Sequence, residues 1–567
     1  MKLSWSTSIF RTKYWTQCQP TRRPISLTAE DRLHARFTRP TPSPTFEDAG
    51  LRPLLAQAVY TAFPNVKKPT EIQSTLISNV SQGKDIILQD ETGSGKSFGL
   101  VLALLNKPRM IFTDDMKGDQ KRDRPAITSL VLVPHRDLAF QMLHWIDSIT
   151  QASNVHPPPL SSIAQVLVRE GRRHISEGIP SIRNEPPHIL IATPASVLEV
   201  LHEDPNAIHL EELSTVVFDE VDYLIETLPL NHKPNKSHIQ KIKKIRDHPG
   251  PARSLLDQIY GEPSNLKSEK GESPRDPPFH RPQLILSSAT IRRQLKYYFF
   301  SERQLLDKNT VKLRRAVMRL HGQDELARDE LAIRSLISHH VLVASEDGIV
   351  NIPSAIKAEE KQLSPVDFDE PNSGPLDATT SPSLDRIIDA TAASRSIEFS
   401  ITPSPLNQNL LEAIAAVFAL DVPSVALLVI PPNASVHRAV YDLREMGVDA
   451  LGMDLLIQDR GRSYLLQADK THNANPKLLV CTSSSIRGVD FPSLTHVFIL
   501  GYEALIAKDN WTLTLDTYIH LCGRVGRFGK PGKVITVVDK EGVSRIDKVL
   551  HTLDISPVRL HALENEA

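Results

Sequence analysis

The segment "QDETGSGKS", Gln89 to Ser97, holds two closely spaced glycines followed directly by Lys96 and Ser97. Glycines so placed let main-chain N–H groups approach an anion, a lysine after them reaches terminal phosphates, and the next hydroxyl can hold Mg²⁺. Asp85 to Leu88 before it has strand character and "FGLVLALL" after it reads as a buried helix, which is the setting a phosphate loop needs. Asp90, Glu91, Thr92, Gly93, Ser94, Gly95, Lys96 and Ser97 are therefore the candidate nucleotide-binding residues. Asp90 occupies the first position of the GxxxxGKS pattern, where a carboxylate facing phosphate would repel it. Either its side chain points away or nucleotide affinity falls.

Farther on, the apolar run "STVVF" ends in Asp219-Glu220-Val221-Asp222. Carboxylates at the carboxyl end of a buried strand lie where open α/β sheets bind ligands. Asp219, with Ser97, can hold Mg²⁺, and Glu220 can orient or deprotonate an attacking water. Lys96, Asp219 and Glu220 thus form a catalytic set for hydrolysing a Mg-nucleotide.

The elements that must position these groups form an α/β chain. Short β-branched runs at Asp85–Leu88, Leu130–Val133, His188–Ile191, Thr215–Phe218 and Gln283–Leu286 alternate with helical patterns, which predicts a parallel sheet covered by helices. A second set at Val425–Ile430, Lys477–Cys481, His496–Leu500 and Lys533–Val538 predicts a second lobe. The expected domains are an ATP-binding lobe over 46–345, a flexible insert or linker over 346–403 and a C-terminal lobe over 404–567. The first lobe carries a polar stretch at 231–280, expected to be a surface excursion. The Pro, Ser, Asp and Glu content of 351–403 is too poor in large apolar groups to build a core.

With 567 residues and a formal net charge of −1, the chain is long enough for two cores and too neutral to coat nucleic acid through its overall field. Any RNA contact must be local. Cys18, Cys481 and Cys522 lack metal-binding or disulfide spacing, and no run of about 18 apolar residues suggests a membrane span. Residues 1–29 carry Lys2, Arg11, Lys13, Arg22 and Arg23 and no acidic residue. With scattered Ser, Thr and large apolar groups, residues 1–40 read as a mitochondrial presequence or as a disordered basic tail.

In their order these motifs resemble the DEAD-box ATP-dependent RNA helicases of superfamily 2, over roughly residues 46 to 540. "KKPTEIQ" is similar to the glutamine motif, which implies that Gln73 reads adenine with Phe46 as the upstream aromatic. "PHRDLAFQ" and "ATPAS" imply RNA contacts by Arg136 and Thr193, and "DEVD" stands in the place of the DEAD signature. "SSAT" implies that Ser288 and Thr290, with Asp222, couple ATP turnover to strand separation. In the second lobe "TSSSIRGVD" implies RNA contacts by Thr482 and Arg487 and a nucleotide contact by Asp490. "HLCGRVGR" resembles the last motif, so His520 joins the coupling set while Arg524 and Arg527 reach the γ-phosphate as catalytic groups. Leu521, Ser196 and Pro431-Pro432 depart from the pattern.

The resemblance implies two RecA-like lobes, ATP and Mg²⁺ as cofactors, RNA as the partner and a monomer. It is greatest for the fungal mitochondrial branch associated with large ribosomal subunit assembly, which adds mitochondrial ribosomal RNA and assembly proteins as expected partners in the matrix. A weakened helicase acting as an ATP-gated RNA clamp or scaffold fits the departures.

Overall fold

The computed structural model describes residues 45–90, 92–115, 121–153, 157–169, 178–227, 236–261, 281–314, 337–357, 398–453, 476–483, 486, 489, 491, 494–505, 511–526 and 531–560. The basic N-terminal segment, Glu91, Arg487, Asp490, Arg527 and residues 358–397 lie outside them.

The first lobe contains β1 (Ile86–Gln89), the antiparallel hairpin β2 (Ile111–Asp115) and β3 (Lys121–Pro125), then β4 (Ser129–Leu132), β5 (Ala164–Leu167), β6 (Ile189–Ala192), β7 (Thr215–Asp219), β8 (Gln283–Ser288) and β9 (Val311–Arg314). Seven of these pair in parallel in the order β5-β6-β4-β7-β8-β1-β9. Both faces are buried, so the central strands are apolar throughout and divide their side chains by pleat. Ile86 and Leu88 enter one core and Ile87 the other; Val131 joins the first, Leu130 and Leu132 the second. Helices α1 (Pro53–Ala62), α2 (Glu71–Ser81), α3 (Lys96–Leu105) and α4 (Arg136–Ser153) close the first core, while α5 (Pro194–Glu203) and α6 (Pro251–Tyr260) close the second.

The last carbonyls of α3 are met by side chains from elsewhere: Leu104 O lies 3.1 Å from His188 Nε2, and Leu105 O accepts from Arg52 Nη2 at 2.8 Å. Donors at that end satisfy carbonyls that have no intrahelical partner and oppose the helix dipole. They anchor the helix whose other end carries the phosphate loop.

The second lobe has β10 (Ile337–Ser345), β11 (Gly348–Asn351), β12 (Val425–Ile430), β13 (Ala450–Gly452), β14 (Lys477–Thr482), β15 (Leu494–Leu500) and β16 (Gly532–Val538) in the order β11-β10-β16-β15-β12-β14-β13. Only edge strand β11 is antiparallel to its neighbour. Helices α7 (Gln408–Asp421) and α8 (Val436–Glu445) pack on one face and α9 (Trp511–Cys522) on the other.

Two boundaries differ from expectation. The second sheet begins at Ile337, inside the 46–345 span assigned to the first lobe, because β10 pairs with β16. Its histidines hid a strand whose segment His340 to Ala344 is buried. The 346–403 span therefore contains β11 and falls, in chain order, between β10 and α7 of the second lobe rather than between the two sheets. In the 231–280 stretch, α6 is a core helix: Ala252, Leu255, Leu256 and Ile259 recur at helical spacing and are buried. Flanking charge had masked that stripe.

A partly buried charge cluster sits in the second lobe. Asp421 accepts from Lys533 Nζ at 2.6 and 2.8 Å and lies 3.1 Å from His496 Nε2. Burial pushes its pKa up, but the His496 and Lys533 hydrogen bonds outweigh that and hold the carboxyl at about 2. On β10, burial pushes His339 and His340 down from 6.5 to about 4, so both are neutral in the fold near neutrality. Between those values the unfolded chain binds more protons than the folded one, and stability falls as pH is lowered. The urea midpoint of the second lobe is therefore expected to drop as pH goes from 6.5 to 4, before Asp421 begins to protonate, with a shallower slope in a His340→Gln variant.

Candidate nucleotide site and lobe interface

Parallel pairing turns the carboxyl ends of all strands in a sheet to one edge, and the motif residues follow those ends. The phosphate loop leaves β1, Thr193 follows β6, Asp219 ends β7, Ser288 ends β8 and Thr482 ends β14. This is the edge at which α/β sheets hold ligands.

In the phosphate loop, Gly93 and Gly95 have φ of 83° and 86°. Glycine is required at 95 for a second reason: a Cβ there would lie 2.3 Å from Gln73 Nε2. Gln73 is tied down at both ends. Its Oε1 accepts from Thr70 N at 2.9 Å, and its Nε2 donates to Gly95 O at 3.3 Å. Thr70 Oγ1 donates to Ser94 O at 3.1 Å, so the Thr70–Gln73 capping box also braces the loop. The carboxamide expected to read adenine thus also supports the loop. Phe46, expected on the nucleotide, is fully buried and packs edge-on against Tyr60 in the first core. It has no free face to stack on a base.

Lys96 Nζ donates to Asp90 O at 2.8 Å and is almost fully buried. Burial lowers its pKa, Arg524 acts in the same direction, and Glu220, Asp90 and Asp219 oppose both. The Asp90 side chain is 5% exposed, so it is not turned to solvent, and its charge opposes the lowering of the Lys96 pKa.

Ser97 Oγ donates to Asp219 Oδ2 at 2.6 Å. Burial and the neighbouring Glu220 charge raise the Asp219 pKa against that hydrogen bond. Glu220 sits in the left-handed region at φ 56°, ψ 48°, a conformation that costs a non-glycine residue about 1–3 kcal/mol and is held by its surroundings. Its Oε2 and the Ser94 hydroxyl are buried without a hydrogen-bond partner among the described residues. Hard oxygen donors at Ser97 and Asp219, beside a buried ammonium and two unspent polar atoms, fit a Mg-nucleotide.

The expected coupling residues converge. Asp222 accepts from Ser288 Oγ at 2.6 Å and Thr290 Oγ1 at 2.5 Å, and His520 Nε2 of the second lobe lies 3.4 Å from it. His520 Nδ1 lies 3.8 Å from Glu220 Oε2. Arg524 lies near enough to the phosphate site for its charge to lower the Lys96 pKa. It is 1% exposed and donates within its own lobe to His520 O at 2.9 Å and Val489 O at 2.5 Å.

Among the candidate RNA residues, Arg136 Nε lies 3.7 Å from Asp137 Oδ1, Thr193 Oγ1 is 2.7 Å from Ser196 Oγ, and Thr482 is half-buried. Sequence reasoning missed Gly523, where a Cβ would lie 1.4 Å from Thr92 Oγ1 of the phosphate loop. It also missed the Arg292–Asp516 ion pair between the lobes. No local pattern announces either. Thr70 could have been found, since Thr-x-x-Gln before an apolar run is a capping signal.

Gln73→Ala is expected to weaken ATP and GTP binding alike, by about tenfold for the hydrogen bonds lost from the loop, as read by calorimetric titration. A selective loss of ATP would show that Gln73 reads the base.

Comparison with known proteins finds a matching family model in each lobe. Residues 70–297 match the DEAD/DEAH box helicase model and residues 435–529 the Helicase conserved C-terminal domain. The chain is 32% identical over 206 residues to the Probable ATP-dependent RNA helicase DDX28 of Homo sapiens, covering 34% of each chain. It is 24% identical over 470 residues to the mitochondrial ATP-dependent RNA helicase cyt-19 of Neurospora crassa, covering 82% of this chain and 57% of that one. The matched region thus spans only about a third to over half of these relatives' length. Dbp5 of S. cerevisiae bound to RNA and ADP BeF3 superposes with a TM-score of 0.51 at 16% identity, over 91% of this chain and 96% of that one. That likeness speaks to the fold alone. With its two matched regions taking in more than half of the sequence, one on each lobe, the chain belongs to the DEAD-box helicases of superfamily 2.

Proposed function

We propose that this chain is an RNA-stimulated ATPase that couples Mg-ATP hydrolysis to local remodelling of RNA duplexes or ribonucleoprotein. The observation that carries the reading is the continuous polar path from Ser97 through Asp219 and Glu220 to Asp222, Thr290 and His520 of the opposite lobe.

The residues divide the work as follows. Lys96 presents its ammonium to the terminal phosphates, and Ser97 and Asp219 would hold Mg²⁺, which neutralises phosphate charge when bound. Glu220, strained and fixed by burial, orients the water and takes its proton at Oε2. His520 closes over Glu220 and Asp222 only when the second lobe is in place, so hydrolysis depends on closure. Arg136, Thr193, Thr482 and Arg487 are the RNA-backbone contacts in this reading, which suits a near-neutral chain whose contacts are local. The acid-free basic N-terminus and the likeness to a helicase named mitochondrial support action in the mitochondrial matrix, and we extend this to assembly of the large ribosomal subunit.

One observation favours a slower, clamp-like variant of this function. The motif pattern is broken at Asp90, Ser196 and Leu521, changes that weaken phosphate and RNA contacts while leaving the lobes able to close.

ATP turnover is expected to rise when RNA is added, and a rate indifferent to any RNA despite intact ATP binding would remove the main reading. Glu220→Gln is expected to cut turnover by about a hundredfold or more while nucleotide binding persists. If cells carrying only that variant still assemble mitochondrial ribosomes, the clamp reading is favoured.

A further inference from the structure

We propose that Arg292 and Asp516 form an interlobe positioning pair that fixes the angle at which the second lobe closes and thereby seats His520 on Asp222. The inference rests on the ATPase reading above and concerns how its two halves are brought into register.

Both residues flank the coupling network. Arg292 lies two positions beyond Thr290, whose hydroxyl holds Asp222. Asp516 lies four positions before His520 on α9, about one helical turn away. Arg292 Nε donates to Asp516 Oδ2 at 2.7 Å, and its Nη2 contacts Oδ1 of the same carboxylate. Two bonds from a planar guanidinium to one carboxylate constrain orientation as well as distance.

Geometry makes the second contact necessary. His520 Nε2 is 3.4 Å from Asp222 and its Nδ1 3.8 Å from Glu220, long contacts on one ring about which α9 could tilt. A bidentate anchor one turn away on the same helix removes that freedom. The pair also answers an electrostatic problem, because Glu220, Asp222 and Asp516 bring three carboxylates to the interface. Arg292 supplies a permanent cation among them.

An ordinary exposed ion pair would carry little weight here. Asp516 is different, with its side chain only 6% exposed and Arg292 at 29%. Burial, joined by the neighbouring Asp222 charge, raises the Asp516 pKa despite the hydrogen bond and charge of Arg292. Desolvation is therefore not fully repaid, and such a pair contributes orientation more than stability. When the lobes part, both groups regain water, so the interaction acts on closure.

The test uses the full chain with Arg292→Asp, Asp516→Arg, the double charge swap, Arg292→Lys and the milder Arg292→Gln. RNA-stimulated kcat and the KM for ATP are measured. Interlobe distance is read by energy transfer between dyes on exposed sites of each lobe, with ADP, beryllium fluoride and single-stranded RNA. Each single reversal is expected to lower kcat by about tenfold, as coupled contacts do, with KM for ATP within about threefold because the phosphate loop is untouched. The double swap recovers most of the loss in kcat and in closed-state transfer. Arg292→Lys stays low because the fork is gone, and Arg292→Gln reports the same direction should a reversal unfold the protein.

Additive losses in the double swap, or closure unchanged in the single variants, would overturn the proposal. A wild-type rate indifferent to RNA would instead overturn the ATPase reading, and the energy-transfer cycle would still decide whether the pair governs closure.

Discussion

The carboxylate of Asp222 is shared by two bodies. Its oxygens take the hydroxyls of Ser288 and Thr290 from its own sheet and face His520 from the other. A carboxylate can accept at several lone pairs, so one side chain registers the end of β8, the end of the DEVD turn and the second lobe at once. The orientation of α9 and the closeness of Gly523 to Thr92 are consistent with that contact.

Around it the site concentrates charge where water is scarce. Lys96, Asp219 and Glu220 are each less than a tenth exposed. In such surroundings charges interact strongly and each is costly alone, so the arrangement is tolerable only as a set. Burial drives Lys96 down and Asp219 up, both towards neutrality, and it is resisted by the hydrogen bonds of Ser97 and Ser287 to Asp219 and by the attraction between the opposite charges. A cation at Ser97 and Asp219 and polyphosphate near Lys96 would complete that balance, which is why a closed, dry site favours the charged transition state.

The scaffold is built to keep this set from relaxing. The Thr70–Gln73 box fixes the inner side of the phosphate loop, and His188 and Arg52 hold the far end of α3. In the second lobe, Asp421, Lys533 and His496 tie the end of α7 to β15 and β16. These bonds lie away from the interface, so each sheet can act as a rigid body whose relative placement is left to a few contacts across the cleft.

The sequence by itself determined a good deal. The predicted β-branched runs are strands, the chain is a two-lobed α/β protein, and Ser97, Asp219, Asp222, Ser288, Thr290 and His520 meet as their motifs imply. These are legible because a buried parallel strand must be apolar and because phosphate chemistry permits few residue types after it. Tertiary structure alone decided the rest. Strand β10 was hidden by histidines that find partners only in the fold, and α6 by charges flanking its apolar stripe. Phe46 became core, Gln73 gained a bond that braces the loop, and Arg292 met Asp516 across 224 residues of chain. A side chain's hydrogen-bond partner is set by which backbone passes nearby, and that proximity is written in packing, not in local sequence.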